Sequence, residues 1–183
     1  RLNAVKGFDM VIRSLPQIIR EVPDAVYCIV GGGPEAIPLW ALAKELGVED
    51  RVIFAGEVPL RDLGRGKHAY YQACDLFAMP SRNNPDIGQV EALGIAHLEA
   101  GACGKPVVGG RSGGTSEAVV DGESGLLVEP ERPEEVADAI VRILSSPELA
   151  KEMGVNGRRR AEARTWSKVA GEYESVLKEV AGG

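Results

Sequence analysis

Apolar positions along residues 7–21 fall at Phe8, Val11, Ile12, Leu15, Ile18 and Ile19, the period of a helix with one buried face. The pattern then changes. "AVYCIVGGG" (25–33) is a continuous apolar run that stops in glycines, which predicts a strand buried on both faces. "EAIPLWALAKELG" (35–47) returns to a helix, with Pro38 tolerated in its first turn and Gly47 closing it. "RVIFAGEVP" (51–59) predicts a strand, "KHAYYQACD" (67–75) a short helix, and "LFAMPS" (76–81) a strand stopped by Pro80. A polar loop over residues 82–93 leads into a helix from about Gly94 to Cys103. "PVVGG" and "LLVEP" predict two more short strands, with a helix or turn in "SEAVVDGESG" between them. Residues 133–145, 147–163 and 166–181 read as helices, punctuated by Ser145, Ser146 and Pro147, with Thr165 or Ser167 as a cap for the last.

Strands alternating with helices imply crossover connections and a parallel sheet covered on both faces. The expected fold is one doubly wound, Rossmann-like α/β domain over residues 1–183, with no internal repeat or interdomain linker. In such sheets ligands bind beyond the carboxyl ends of the strands, so the loops after Val30, Ala55, Met79 and Val108 are the places for a site.

Composition narrows the partners. The 44% hydrophobic and 26% charged residues are an ordinary globular balance, and no apolar stretch approaches a membrane span. A net charge of -6 disfavours nucleic acid as a partner. Cys28, Cys74 and Cys103 lack CxxC spacing and sit among apolar residues, which predicts three buried, reduced thiols and a cytoplasmic setting. Two histidines, His68 and His97, are too few for a histidine-based metal site, and His97 reads as a packed helix residue.

The chemistry concentrates in "VEALGIAHLEAGACGKPVVGGRSGG" (90–114), where Glu91 and Glu99 are separated by seven residues. If the helix starts near Gly94, the free amides of Gly94, Ile95 and Ala96 form an anion site, and the absence of a Cβ at Gly94 lets a ligand approach. Glu99, about one turn further, leans back toward that mouth. Carboxylates are good acceptors for paired hydroxyls, so an anionic centre flanked by polyols is the ligand this suggests, a nucleotide-sugar. The triple glycine Gly31–Gly33 does not continue as GxGxxG and does not read as a dinucleotide fingerprint. Gly113 and Gly114 read as a tight turn or as a loop near the sugar.

This block resembles the Glu-x7-Glu signature of retaining glycosyltransferases of the GT-B fold, and more narrowly the hexosyltransferases that include the phosphatidylinositol mannosyltransferases. "RLNAVKG", "VGGGP", "FAGEVP", "YYQACDLFAMPS", "GRSGGTSEAV" and "GLLVEP" agree with it in order. The resemblance implies the C-terminal, donor-binding half of such an enzyme, lacking the strand before Arg1 and the N-terminal acceptor domain. It implies that Arg1 and Lys6 hold the donor diphosphate and that Glu91 contacts the sugar. It further implies that the Ile95 and Ala96 amides approach phosphate and sugar, Glu99 accepts from the ribose, and the Val58 backbone reads the base. The implied reaction moves a hexosyl group, mannose from GDP-mannose first, to a lipid or saccharide acceptor with retention. No cofactor or metal is implied: the chain has no DxD motif, and the basic pair can supply a metal's electrostatics. The full enzyme would be cytoplasmic, or peripheral at the inner membrane face for a lipid acceptor. Ala92, His97 and Ser116 depart from the pattern, which has Gly, an apolar residue and Pro there. A non-hydrolysing UDP-sugar epimerase half and a non-catalytic nucleotide-binding module are the competing readings.

Overall fold

The computed structural model describes residues 1–59, 66–84 and 88–181. Helix α1 (Phe8–Glu21) buries Val11, Ile12, Leu15 and Ile18 on one face, as its period requires. That face packs against α6 (Pro133–Leu144), which contributes Val136, Ala137, Ile140 and Ile143. Pro133 opens α6 at the one place where a missing N–H costs nothing, and Glu134 and Glu135 complement its dipole. Helix α2 (Ala36–Glu45) lies beside α1.

Strand β1 (Tyr27–Val30) pairs in parallel with β2 (Val52–Gly56), and β3 (Phe77–Met79), β4 (Val107–Gly110) and β5 (Gly125–Val128) form a second parallel set in that order. The expected single sheet is therefore two, because no ladder joins β1 to β3 among the described residues. The chain instead bridges their carboxyl ends with residues 1–7. The Leu2 amide donates to the Gly32 carbonyl at 2.9 Å and the Arg82 amide to the Val5 carbonyl at 2.8 Å.

Alternation along the strands shows which faces are covered. Val108, Leu126 and Val128 join the main core under α1 and α6, whereas Val107 and Leu127 join a smaller core with Ala100 of α4 (Ile95–Ala102). Helix α7 (Pro147–Ala163) lies against α4, and the absence of side chains lets them close in: a Cβ at Gly157 would come within 3.2 Å of the Gly101 Cα. Ser146 caps α7 by accepting from the Leu149 amide at 3.3 Å, and Thr165 does the same, at 3.4 Å, for the Lys168 amide of α8 (Trp166–Ala181). Helices α3 (Gly66–Ala73) and α5 (Thr115–Ala118) complete the set. Every predicted element is present, mostly shorter at its ends than the sequence pattern suggests. The expected loop over 82–93 is polar and connects β3 to α4, with residues 85–87 outside the described set.

The three thiols are not buried as expected. Cys28 is exposed and Cys74 and Cys103 are half-buried, all of them free. The reason lies in β1: Ile29 faces the core at 1% exposure, so its neighbour Cys28 faces the other way, beside an exposed Ile53. Burial on both faces, the premise behind reading an apolar run as a fully covered strand, holds for β4 and β5 but not for β1 and β2.

Candidate functional site

Gly7 adopts a left-handed conformation (φ 72°), and a Cβ there would run into the Pro80 carbonyl. Residues 5–7 can therefore lie directly on residues 80–82, which places Lys6, at the end of the short helical turn Ala4–Lys6, beside the carboxyl end of β3. Asp9, in the first turn of α1, clamps Arg82 with two-pronged bonds of 3.0 and 3.1 Å and locks the same junction.

Glu91 is the centre of this cluster. Its Oε2 accepts from Lys6 Nζ at 2.6 Å and from Ser81 Oγ at 3.1 Å, and its Oε1 accepts from the Gly94 amide at 3.2 Å. One carboxylate, only 9% exposed, thus ties Lys6, 85 residues away, to the end of β3 and the start of α4. Burial works to raise the Glu91 carboxyl, but the Lys6, Ser81 and Gly94 contacts outweigh it, so it titrates below its ordinary range. The backbone around Glu91 is fixed as well: its carbonyl accepts from the Gly114 amide at 2.8 Å, an approach that a side chain at Gly113 or Gly114 would block. The two glycines therefore shape the loop that carries Glu91.

A depressed carboxyl pKa stabilises the fold above the unfolded value, about 4.3, and that contribution disappears as pH falls through the folded value. Replacing Lys6 by Met removes a lowering influence, so acid unfolding followed by circular dichroism is expected to begin at higher pH in Lys6→Met than in the parent protein. Coincident acid transitions would show that the ion pair contributes nothing.

Gly94 is the cap of α4 and is left-handed (φ 72°). The expectation of three free amides at this mouth is corrected for one of them: the Gly94 amide is occupied by Glu91. The amides of Ile95 and Ala96 have no hydrogen-bond partner among the described residues, and Ile95 is 46% exposed. Below the mouth, His97 is buried, as expected of a packed residue. Its Nε2 lies 3.0 Å from the Met79 carbonyl and its Nδ1 3.3 Å from the Gly94 carbonyl. Burial pushes its imidazole below the ordinary range, against the opposing pull of those carbonyls and of Glu91.

Glu99 lies about one turn into α4. Its carboxylate is held by α3: Lys67 Nζ donates to Oε1 at 2.6 Å and Tyr71 OH to Oε2 at 2.9 Å. Lys67, Tyr71 and Ser81 were not singled out by sequence reasoning, although Tyr71 and Ser81 both fall in the block "YYQACDLFAMPS". Arg1 is exposed, beside Gly31, and Val58 is half-buried just past β2. No hydrogen bond or ion pair among the described residues joins either of them to the Lys6–Glu91 cluster.

Parallel strands alternating with helices, with an unpartnered helix mouth and a lysine at the carboxyl ends of the strands, place the chain in the doubly wound α/β class. The chain belongs to the family described as glycosyl transferases group 1, which residues 1–160 match. It is 44% identical over 158 residues to a GDP-mannose-dependent alpha-(1-6)-phosphatidylinositol monomannoside mannosyltransferase of Mycolicibacterium smegmatis, covering 86% of this chain and 40% of that protein. The chain thus spans less than half the length of that relative. Among solved structures it is similar to HepE of Anabaena in complex with UDP-glucose (TM-score 0.82, 28% identity, covering 98% of this chain and 47% of that one). It also shares the fold of the C-terminal domain of a group 1 glycosyl transferase from Francisella tularensis (TM-score 0.73, 22% identity, 90% of this chain and 82% of that one).

Proposed function

We propose that this chain is the donor-binding portion of a retaining hexosyltransferase and that it takes a nucleoside-diphosphate sugar, GDP-mannose first, at the mouth of α4. The observation that carries the reading is the convergence of Lys6, Glu91 and the open Ile95 and Ala96 amides at one point. A diphosphate placed there meets two backbone donors, the positive end of the helix and the Lys6 ammonium. The leaving nucleoside diphosphate gains charge as the glycosidic bond breaks, and donors fixed in advance stabilise that charge. Arg1, exposed beside Gly31, supplies a second cation. Glu91 Oε1 carries a single contact, from Gly94, which leaves it able to accept from a sugar hydroxyl. The Val58 backbone lies at the carboxyl end of β2, where a base edge would be read. The hexosyl group then passes to an acceptor hydroxyl with its configuration kept.

The rest of the enzyme completes this arrangement. A preceding strand running into Arg1 would sit between β1 and β3 and merge the two sheets, in keeping with the positions of Leu2 beside Gly32 and Val5 beside Arg82. Helix α8 leaves Trp166, Tyr173, Val176, Leu177 and Val180 exposed on an apolar face that an N-terminal acceptor domain would cover. The acceptor is a lipid or saccharide hydroxyl, and the enzyme is cytoplasmic, at the inner membrane face for a lipid. No helix among the described residues is long and apolar enough to cross a membrane.

Lys6 and the helix mouth supply the positive charge that a divalent ion would otherwise bring. Calorimetric titration with GDP and with UDP in excess EDTA is expected to show saturable binding of at least one. Binding that appears only on adding a divalent ion would refute the metal-independent part of the reading. Binding of neither, by folded protein with or without the ion, would refute the whole.

A further inference from the structure

Lys67 and Tyr71 stand four residues apart on α3 and so share one face of it. Both point at Glu99, one to each carboxylate oxygen, at 2.6 and 2.9 Å. The Tyr71 ring is itself anchored. It meets Phe77 of β3 edge-on with centroids 5.5 Å apart, and Phe77 meets His97 in the same way at 5.5 Å. His97 in turn reaches the Met79 and Gly94 carbonyls. An aromatic chain therefore runs from the holder of Glu99 to the mouth of α4. Burial, and next the Glu99 carboxylate, push the Tyr71 phenol far above its ordinary range, so it remains a donor at any working pH.

An ionised carboxylate offers about four lone-pair sites, two on each oxygen. Lys67 and Tyr71 occupy one on each. One acceptor site on each oxygen is left, enough for the two members of a pair of vicinal hydroxyls. We propose that Lys67 and Tyr71 are positioning residues which fix the Glu99 carboxylate to receive the cis-diol of the nucleotide's pentose. The inference rests on the donor-binding reading above. It adds that pentose recognition is set from α3 as well as from α4.

The test compares nucleotides with and without the diol. Affinities of GDP and UDP, and of their 2′,3′-dideoxy counterparts, are measured by calorimetry for the parent protein and for Glu99→Gln, Tyr71→Phe, Lys67→Met and Lys67→Arg. The parent is expected to prefer the diol-bearing nucleotide, and Tyr71→Phe and Lys67→Met each to reduce that preference about fivefold, the order expected for the net worth of one hydrogen bond. Lys67→Arg should regain most of it, and dideoxynucleotide affinity should stay at the parent value throughout. Equal weakening of both nucleotides would mark Tyr71 and Lys67 as merely structural and overturn the proposal. So would loss of the preference in Glu99→Gln with full retention in Tyr71→Phe and Lys67→Met, which would leave Glu99 itself as the pentose acceptor. A preference that survives Glu99→Gln would remove Glu99 from pentose recognition and the proposal with it. No nucleotide binding by the parent would overturn the donor-binding reading beneath both.

Discussion

Lys6→Ala is expected to lower the affinity for GDP or UDP about a hundredfold, the scale for truncating one member of a close, partly buried charge pair. Two effects add. The diphosphate loses its nearest fixed cation, and Glu91, still held by Ser81 and Gly94, becomes an unneutralised negative charge at the point where the phosphates arrive. The first effect alone would follow from removing any surface lysine near an anion. The second is particular to this geometry, and the double variant separates them: Lys6→Ala combined with Glu91→Gln should recover part of the lost affinity, because the repulsion goes with the carboxylate. Calorimetry on the four proteins of the cycle gives the coupling directly. Strictly additive losses would show that the 2.6 Å pair does not govern ligand charge.

Gly94→Val is expected to be the most damaging single change at the mouth. The left-handed backbone at Gly94 is costly for a β-branched residue, and a Cβ built there lies 2.6 Å from His97 Nδ1. Strain and displacement of a buried imidazole together should cost about 3 kcal/mol. For a chain of this size that corresponds to a melting temperature lower by roughly 10 °C, measurable by calorimetry or circular dichroism. Gly94→Ala should fall between the two, since it keeps the backbone penalty with a smaller clash. A valine variant that melts with the parent would mean that the α4 cap is not built as described.

The fold was legible wherever one periodicity dominated. The helical period of residues 7–21 gave α1 and its buried face, and the serine–proline punctuation before α7 gave its start. Gly94 was legible for a related reason: its place depends on a short stretch of chain turning into a helix. What escaped depends on partners far away in sequence. Nothing local in "KHAYYQACD" says that Lys67 and Tyr71 will meet Glu99, 32 and 28 residues on. Glu99 leans along α4 as any helical side chain does, but a cation and a phenol on a neighbouring helix decide where its carboxylate ends. That the Gly94 amide is occupied is likewise not written in the spacing, because it depends on the loop's return, which brings the Glu91 carboxylate to it. Cys28 shows the same limit in reverse. An apolar run predicts burial on both faces only if something covers both, and for β1 the structure supplies cover on one.

The most direct test of the central claim is the structure of this protein in complex with GDP or UDP, crystallised in EDTA. The account predicts diphosphate oxygens within hydrogen-bond distance of the Ile95 and Ala96 amides and of Lys6 Nζ. A nucleotide bound with its phosphates away from the α4 mouth, or on a surface remote from Lys6 and Glu91, would contradict it.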